Sequence, residues 1–299
     1  MQYLKSFTLP TEYEETDFLT SFPPQLEMQC YQNNNPYPFK IFPIKQFSEI
    51  EFSGITLFYG TNGSGKSTIL NIIAEKLKLL RTAPFNYAPC FPDYLDLCEY
   101  YLCPRVTHIP KESRIITSDE VFDFLLDVRE MNANIDERRE ELFSEYKKTR
   151  DELYSNNQFS SLDDYEELRR RNEAKHRTMS AYTSKRLPKE LVGKSNGESA
   201  YIYFTKKIGE NALYLLDEPE NSLSAELQLE LMKFIVDSAR FYGCQFIIST
   251  HSPFLLSMKD AVVYDLDSIP VTRKRWTELK NVRTYFDFFL SHSEEFSKR

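Results

Sequence analysis

The sequence predicts an α/β fold with a mostly parallel central sheet, an antiparallel N-terminal β subdomain and an inserted helical hairpin. Two observations predict it. Short apolar runs followed by helical patterns are typical of parallel strands that are buried on both faces. A long stretch rich in glutamate, lysine and arginine, without glycine or proline, separates the first part of that pattern from the second. With 299 residues, the chain is long enough for one core domain that carries an insertion.

The first third of the chain predicts strands around a glycine-rich turn. Residues 1–35 indicate a loop-rich lead-in with one edge strand, and residues 39–58 alternate apolar and polar side chains as two or three strands do. The last strand, Ile55–Tyr59, runs directly into a glycine-rich segment. Apolar residues then recur at helical spacing from Ile69 to Leu80, so the order is strand, loop, helix.

The middle of the chain predicts the helical insertion. A strand at 114–117 is followed by Ser118, Asp119 and Glu120, an N-cap with carboxylates in the first helical turn. Beyond them the charged stretch predicts two antiparallel helices of about 25 residues each, roughly 40 Å long. The predicted regions are an N-terminal lobe at residues 1–128, the helical hairpin at 129–190 and a C-terminal lobe at 191–299.

The C-terminal third returns to strands and helices. Apolar runs at 212–216 and 246–250 predict buried parallel strands, joined by a helix from about Ser224 to Tyr242. A further strand at 261–265 and a closing helix near 285–290 complete this lobe. The first and last thirds of the chain therefore both show the alternation of strand and helix that predicts the core domain.

Charge and composition limit the partners. A net charge of −8 gives no support to whole-surface attraction to nucleic acid, so such a contact must be local. The basic stretch Arg169–Lys189 stands out, either as a solvated helix face or as a contact for nucleic acid or an acidic partner. The five cysteines include no C-x-x-C pair, which favours reduced thiols. No apolar run approaches the roughly 20 residues of a membrane span, so we expect a cytoplasmic protein without membrane contact.

The glycine-rich segment carries the strongest motif. It matches G-x-x-x-x-G-K-[ST] between a predicted strand and a predicted helix, the context that a P-loop needs. Its residues are Gly60, Thr61, Asn62, Gly63, Ser64, Gly65, Lys66, Ser67 and Thr68. Glycines let the backbone amides curl around phosphate oxygens at a helix N-terminus. Lys66 would reach the β- and γ-phosphates and Ser67 the magnesium ion, so the sequence predicts a P-loop NTPase fold that binds ATP and Mg²⁺.

Two carboxylates and a histidine follow predicted neighbouring strands. Asp217 and Glu218 end the run at 213–216, which places them at the sheet edge where the phosphate loop also lies. Asp217 suits the magnesium shell, and Glu218 suits a water that attacks the γ-phosphate. His251 follows the strand predicted beside them and can reach the γ-phosphate. The predicted catalytic residues are therefore Lys66, Glu218 and His251, and capping or structural roles are the alternatives for the last two.

The order of the motifs resembles that of ABC-type ATPases. Besides the phosphate loop and the acids, the resemblance uses a Gly/Ser-rich turn before a helix that starts near Ala200, which by itself indicates only an N-cap. The segments are Gly60–Thr68, Ser195–Ser199, Leu216–Ser224 and Thr250–Pro253. The chain is most similar to the non-transport branch with the SMC, RecF and OLD-like proteins and the small bacterial AAA family ATPases of defence loci. This similarity covers most of residues 39–270.

The resemblance implies an ABC ATPase head and names further site residues. It implies a Walker A motif at the phosphate loop, a Walker B motif with the catalytic glutamate at Asp217 and Glu218, a D-loop near 221–224 and a switch histidine at His251. It also implies that a signature segment contacts the nucleotide of a second subunit, and so a homodimer around two ATP molecules. The signature residues are Ser195, Asn196, Gly197 and Glu198.

Three positions depart from the family pattern. The signature reads Ser-Asn-Gly-Glu-Ser where transporters have Leu-Ser-Gly-Gly-Gln, and Ser224 replaces the aspartate of many D-loops. The segment 118–120 occupies the place of the usual glutamine lid, which leaves the second magnesium contact open. The candidates for an adenine-stacking aromatic side chain ahead of the phosphate loop are Tyr37, Phe39 and Phe42.

The family suggests a regulatory or mechanical ATPase. The first hypothesis is an ATP-dependent dimer that regulates or drives a separate effector protein or a nucleic-acid transaction, in bacterial antiphage defence. In OLD-like ATPases a TOPRIM nuclease domain follows the histidine strand, whereas 48 residues follow His251 here. If nucleic-acid cleavage is the output, we therefore expect the nuclease on another chain. The alternatives are an ABC transporter nucleotide-binding subunit and a DNA-repair ATPase.

Overall fold

The computed structural model describes residues 1–20, 37–85, 87–152 and 195–296. The predicted second helix of the hairpin, with its basic stretch Arg169–Lys189, lies outside these residues. The chain divides into two compact units. The first unit comprises residues 1–121 and 200–299, and the second comprises residues 122–199.

Among its described residues, the first unit contains nine strands and most of the helices. Its strands are β1 (Leu4–Thr8), β2 (Glu49–Glu51), β3 (Ile55–Tyr59), β4 (Glu99–Leu102), β5 (Arg114–Thr117), β6 (Leu213–Asp217), β7 (Gln245–Ser249), β8 (Val262–Asp265) and β9 (Thr272–Arg273). The helices of the whole described chain are α1 (Glu12–Thr20), α2 (Lys66–Lys76), α3 (Phe91–Leu97), α4 (Ser118–Glu152), α5 (Asn196–Lys207), α6 (Ala225–Phe241), α7 (Pro253–Leu256), α8 (Lys280–Ser291) and α9 (Ser293–Phe296).

The central sheet has six strands in the order β5-β6-β7-β3-β8-β9. Its first five strands are parallel, and β9 pairs antiparallel with β8. Both β3 and β7 are buried at every position, as expected for strands with near-continuous apolar sequences that are covered on both faces. This confirms the predicted mostly parallel sheet.

The second sheet is small and antiparallel, with the order β2-β1-β4. It confirms the predicted N-terminal β subdomain, but the expected edge strand in residues 1–35 is wrong because β1 is the central strand. The strand β4, which completes the pairing, lies about ninety residues later in sequence and is mostly exposed, so no local apolar pattern predicts it. Leu4 and Phe7 of β1 pack with Ile72 of α2 in the main hydrophobic core.

Gln245, the first residue of β7, joins the two sheets. Its buried side-chain Oε1 accepts hydrogen bonds from the backbone amides of Tyr3 and Leu4, both at 2.8 Å. Its Nε2 donates to the carbonyl oxygens of Leu4 at 2.9 Å and Ser53 at 3.0 Å. The amide group is therefore fully satisfied, as a buried polar side chain must be to avoid a desolvation cost.

The helix α4 is longer than the predicted first arm of the hairpin. It runs without interruption from Ser118 to Glu152, 35 residues, and so continues through the expected change at residue 129. The sequence contains no glycine or proline between its ends, and the N-cap signal at Ser118 therefore begins one long helix rather than a separate short one. Among the described helices, none has both the length and the apolar character needed to cross a membrane.

Glu15 of α1 is a buried acid in the first unit. It is 2% exposed, and its Oε2 accepts a hydrogen bond from the backbone amide of Lys40 at 2.6 Å. Burial raises the pKa of the Glu15 carboxyl to about 7 from an ordinary value of 4.5, against the opposing effect of that hydrogen bond. The folded protein therefore loses stability as the pH rises from about 4.5 to about 7, because ionisation is disfavoured only in the fold.

The variant Glu15→Gln is expected to remove this pH dependence. The buried carboxylate costs on the order of 3 kcal/mol once it is ionised. Between pH 5 and pH 8, the free energy of unfolding of the variant should therefore rise by about that much relative to wild type. Urea unfolding of both proteins at the two pH values measures the difference. Asp17→Asn, an exposed change on the same helix, is the matched control and should show no such gain. If the free energies of unfolding of Glu15→Gln and wild type differ by the same amount at both pH values, the raised pKa of Glu15 is contradicted.

Candidate nucleotide-binding site

The sheet order brings the sequence motifs to one edge. The strands β6, β7 and β3 are adjacent and parallel, so their carboxyl ends lie together. The phosphate loop follows β3, His251 follows β7 by two residues, and Glu218 follows β6 directly. This arrangement confirms that β7, the strand before His251, lies beside β6, the strand before the acids. On its other side β7 pairs with β3, which precedes the phosphate loop.

The phosphate loop is a tight turn into α2. Gly65 is the N-cap of α2 with a left-handed φ of 96°, and Gly63 has a φ of 80°, conformations that other residues rarely adopt. Gly60 is needed for space, since a Cβ atom there would lie 2.5 Å from the Ser64 Oγ. The Ser64 hydroxyl is itself buried without a hydrogen-bond partner in the described structure. The loop is thus a cradle of the kind that binds anions at helix N-termini.

Lys66, Glu218 and His251 form one cluster. Lys66 is 4% exposed, and its Nζ donates hydrogen bonds to the carbonyl oxygens of Gly60 at 2.9 Å and Thr61 at 3.3 Å. The same Nζ lies 2.7 Å from the His251 Nε2 and 3.5 Å from the Glu218 Oε1. His251 Nε2 and Glu218 Oε1 are 3.1 Å apart. The three predicted catalytic side chains therefore meet at the mouth of the cradle.

Asp217 and Ser67 lie together beside this cluster. The Ser67 hydroxyl donates a 3.1 Å hydrogen bond to the Asp217 Oδ1, and the Ser249 hydroxyl donates to the same oxygen. Burial raises the pKa of Asp217 above its usual range, while these two hydrogen bonds oppose the shift. A hydroxyl and a carboxylate are hard oxygen ligands of the kind that Mg²⁺ takes, so the pair fits this ion. A bound cation would favour the ionised carboxylate.

The backbone of Glu218 is held in an unusual conformation. Its φ is 47°, in the left-handed region that is rare for residues other than glycine. Its amide donates to the carbonyl oxygen and to the hydroxyl of Ser249, at 3.0 and 3.1 Å. Such strain at a sheet edge is typical of functional positions. In this backbone conformation the Glu218 side chain lies toward Lys66 and His251.

The Glu218 carboxylate is charged at neutral pH. The contact with His251 lowers its pKa to about 2, and a 3.2 Å hydrogen bond from the Asn221 side chain and the charge of Lys66 act in the same direction, against burial. The pKa of Glu218 in the folded protein is below the ordinary value of 4.5. The ionised carboxylate therefore stabilises the fold above pH 4.5, and this contribution is lost only as the pH falls toward 2. The group can therefore accept a hydrogen bond or a proton at physiological pH.

Glu220 is an acid beside the cluster that sequence reasoning missed. Its Oε1 accepts hydrogen bonds from the Thr250 hydroxyl at 2.7 Å and from the backbone amides of His251 at 2.5 Å and Ser252 at 3.1 Å. It thus fixes the segment that carries His251. The available signal was a third acid two residues after Glu218 on the same loop.

A cavity of about 900 Å³ opens beside Ser67 and Asp217. Its walls come from the start of α2, the end of β5, the end of β6 and the segment between α2 and α3. The lining residues are Tyr37, Ser67, Thr68, Asn71, Arg81, Pro84, Phe85, Tyr87, Ala88, Thr117, Ser118, Asp119, Asp217 and Glu218. Ser118 and Asp119 therefore line the cavity at the place expected for the lid, and the volume is within the usual range of small-molecule sites.

Arg81 is the second residue that the sequence did not reveal. Its guanidinium lies 4.4 Å from the centre of the Phe85 ring, and one terminal nitrogen donates to the Asn71 side chain at 2.6 Å. The other terminal nitrogen, Nη1, is buried without a hydrogen-bond partner among the residues that the structure describes. A buried donor on an arginine in this cavity is suited to an anionic ligand.

The structure separates the three adenine-stacking candidates. Phe39 and Phe42 are buried in the hydrophobic core, so neither can face a ligand. Tyr37 lines the cavity, and its hydroxyl donates a 3.2 Å hydrogen bond to the Thr68 hydroxyl. Its ring also stacks on Phe91, with 6.1 Å between the ring centres. Of the three, only Tyr37 can contact a bound base.

The predicted signature residues belong to the second unit. The helix α5 begins at Asn196, four residues before the expected start at Ala200, because a capping box closes its first turn. The Ser195 amide donates to the Glu198 carboxylate at 3.0 Å, and the Glu198 amide donates to the Ser195 hydroxyl at 3.3 Å. Gly197 lies inside this turn. The cluster around Lys66 is formed by the first unit alone.

Two family models match the chain. The family described as "AAA domain, putative AbiEii toxin, Type IV TA system" matches residues 186–257, and the family described as "AAA domain" matches residues 38–74. The first match contains the Ser195–Ser199 segment, both acids and His251, and the second contains the phosphate loop. No curated protein sequence matches the chain at a significant level.

Similar solved structures include SMC head domains and an ABC cassette. The SMC head domain from Thermotoga maritima is 13% identical, covers 92% of this chain and 99% of its own, and has a TM-score of 0.39. The SMC head domain from Pyrococcus furiosus, bound there to the C-terminal domain of ScpA, is 16% identical over 80% and 95%, with a TM-score of 0.39. A dimeric bacterial ABC transporter cassette is 14% identical over 76% and 88%, with a TM-score of 0.37.

The observations on the resemblance to P-loop ATPases agree with one another. Both family matches fall on segments that carry the motifs, and the motifs follow each other in the order of ABC-type ATPases. The sheet order β6-β7-β3 then assembles the phosphate loop, the acids and the histidine at one edge. By its motifs and the order of its strands, the chain is similar to ABC/SMC-like P-loop ATPase domains.

Proposed function

We propose that this protein binds ATP with Mg²⁺ and hydrolyses it to ADP and phosphate. The observation that carries the proposal is the cluster of Lys66, Glu218 and His251 within 3.5 Å of one another at the mouth of the phosphate cradle. An ammonium group, an ionised carboxylate and an imidazole at the end of an anion-binding loop are the groups that phosphoryl transfer to water requires.

Nucleotide binding uses the cradle and the cavity beside it. The backbone amides of Gly60–Thr68 receive the phosphates, and Lys66 turns its ammonium from the carbonyl oxygens of the loop to the β- and γ-phosphates. Ser67 and Asp217 would hold Mg²⁺, which would supply positive charge at the phosphate oxygens. Tyr37 stacks on the adenine, and Arg81 directs its buried nitrogen to a phosphate.

Hydrolysis uses the residues that follow β6 and β7. Glu218 accepts a hydrogen bond from the attacking water and polarises it, which its low pKa permits at physiological pH. His251 lies at the γ-phosphate end of the site, and Glu220 holds its backbone there. Asn221 orients the Glu218 carboxylate through its side-chain amide.

Phosphate release and calorimetry test this function. We expect purified protein to take up ATP in a calorimeter and to release phosphate in a reaction that stops when EDTA removes Mg²⁺. Heat-denatured protein is the control for contaminating phosphate. Absence of adenine-nucleotide uptake under these conditions would refute the proposal.

We also propose a working unit and a context. Two chains close around two ATP molecules, with Ser195, Asn196, Gly197 and Glu198 of each chain completing the site of the other. The closed dimer regulates a separate effector protein, a nuclease among the candidates, or acts on nucleic acid through Arg169–Lys189. The matching family description names a toxin and a Type IV TA system. Our proposal for this chain is a role in bacterial antiphage defence with a partner protein.

Replacement of three basic residues tests the nucleic-acid part of this proposal. Changing Arg170, Arg171 and Lys175 to glutamate should weaken DNA or RNA affinity and reduce its dependence on salt, because each phosphate contact releases a counterion. Fluorescence anisotropy at several salt concentrations measures both quantities. Unchanged affinity and an unchanged salt slope would exclude this basic segment as a nucleic-acid contact.

The variant Arg81→Ala is expected to weaken nucleotide binding. A hydrogen bond to a charged group contributes about 1.5–3 kcal/mol, so the dissociation constant should rise by roughly 10- to 100-fold. Calorimetry with a non-hydrolysable ATP analogue measures it. Arg105→Ala, at an exposed loop position, is the matched control. Equal affinity of Arg81→Ala and wild type would mean that Arg81 does not contact the nucleotide and only packs against Phe85 and pairs with Glu75.

A further inference from the structure

Asn281, at the start of α8, is bonded to the segment that carries His251. Its side-chain Nδ2 donates a 3.1 Å hydrogen bond to the carbonyl oxygen of His251. Its backbone amide donates to the hydroxyl of Tyr59, the last residue of β3, at 3.0 Å. Asn281 therefore contacts both the residue before the phosphate loop and the histidine segment, which follow the adjacent strands β3 and β7.

The backbone of His251 is held on both sides. Glu220 accepts a hydrogen bond from its amide, and Asn281 donates one to its carbonyl oxygen. The side chain of His251 is 31% exposed, and its Nε2 lies 2.7 Å from the Lys66 Nζ. Hydrogen bonds are directional, so two of them on the backbone of one residue restrict the direction in which its ring leaves the backbone.

Packing holds this segment less closely on the side of α8. A cavity of about 740 Å³ lies between α7 and α8, and His251, Ser252, Phe254 and Phe286 are among the residues that line it. Phe286 itself is 54% exposed. Atoms that face a cavity lack the dispersion contacts of a close-packed interior. The hydrogen bond from Asn281 therefore carries more of the positional restraint than it would in a packed core.

The start of α8 is fixed by its contact with β3. The N-cap of α8 is Leu279, whose apolar side chain cannot accept a hydrogen bond from the first helical turn. The Tyr59 hydroxyl accepts one from the Asn281 amide instead, and the side chains of Leu279 and Val282 are buried. The Asn281 side chain is thus presented to His251 from a helix end that is anchored to the strand of the phosphate loop.

We propose that Asn281 is a positioning residue that holds the His251 ring at the γ-phosphate end of the site. This inference rests on the proposed hydrolysis of ATP. When Lys66 turns to the phosphates, the ring loses its contact with that ammonium group, and the two bonds to the histidine backbone keep the ring in place. Asn281 acts through His251, since its side chain bonds the backbone of the histidine and not the ring.

Steady-state phosphate release by Asn281→Asp tests the inference. The carboxylate has nearly the shape of the amide but cannot donate to the His251 carbonyl oxygen, and an acid in the first turn is favourable for the helix itself. We expect kcat to fall by about 10- to 100-fold, the size of effect that a small misplacement of a catalytic group has. KM, and the ADP affinity measured by calorimetry, should stay as in wild type. Lys280→Gln makes the same change in net charge at the neighbouring exposed position and should behave as wild type.

A double-mutant cycle shows whether Asn281 acts through the histidine. In a His251→Ala background, Asn281→Asp should lower kcat no further, because the effects of residues that act as a unit are not additive. Asn281→Ala removes the donor without adding a charge. In the otherwise wild-type protein it should lower kcat as Asn281→Asp does.

Three results would overturn the inference. The first is a wild-type kcat in either variant of Asn281. The second is the same further loss of kcat in the His251→Ala background as in wild type, and the third is a loss of ADP affinity together with kcat, which would both assign Asn281 a purely structural role. In these cases wild type still releases phosphate, so the inference alone fails. If wild type releases no phosphate, the proposed function fails and the inference with it.

Discussion

Replacing Lys66 by alanine is expected to abolish nucleotide binding. The ammonium group is buried at the mouth of the phosphate cradle, and it is the positive charge closest to both Glu218 and His251 in the site. Charge-assisted contacts to phosphate are among the strongest hydrogen bonds in proteins. Loss of two of them, at about 1.5–3 kcal/mol each, should raise the dissociation constant by more than about 100-fold.

Calorimetry with ATP and Mg²⁺ measures the loss in Lys66→Ala. Lys111→Ala, an exposed change of the same chemistry, is the matched control and should bind as wild type does. A thermal melt shows whether the Lys66 variant is folded, because removal of a buried ammonium also leaves the Glu218 carboxylate with one partner fewer. Folded Lys66→Ala with the affinity of wild type would refute the phosphate cradle as the nucleotide site.

The variant Glu218→Gln is expected to bind ATP and to hydrolyse it at least about 100-fold more slowly, since a positioned general base contributes typically 10²–10⁴-fold. Glutamine keeps the shape of the side chain and removes the charge that polarises water. The ATP-bound state should therefore accumulate. Under the proposed sandwich that state is a dimer, which size-exclusion chromatography with light scattering detects in the presence of ATP and Mg²⁺.

The controls for Glu218→Gln separate its two effects. Glu230→Gln changes an exposed glutamate on α6 and should leave both the rate and the mass unchanged. A mass of one chain for Glu218→Gln with ATP bound would exclude the sandwich while leaving ATP binding intact. A hydrolysis rate equal to that of wild type would exclude Glu218 as the residue that activates water.

Local patterns were sufficient to predict the central architecture. The apolar runs that became β3, β6 and β7 are buried on both faces, so their sequences needed no alternation to indicate strands. The rule that parallel strands end at one sheet edge then predicts that Lys66, Glu218 and His251 lie together. Their mutual distances confirm that they form one cluster, while their chemical roles stay predictions.

The remaining features depend on contacts between distant parts of the chain. The central position of β1 is set by its pairing with β4, far away in sequence, and neither strand has a pattern that names its partner. Arg81 and Glu220 were missed because a single charged residue gains meaning only from what it faces. The choice of Tyr37 over two phenylalanines likewise needed their burial, since all three precede the phosphate loop at similar spacing.

The side chain of Gln245 has a consequence for how the protein unfolds. Separating the N-terminal sheet from the central sheet would break every hydrogen bond of this amide at once and leave backbone groups of Tyr3 and Leu4 without partners. We therefore expect the two sheets to unfold together as one cooperative unit. Because β7 begins at Gln245 and leads to His251, the amide that joins the two sheets also fixes the start of the strand that precedes the histidine.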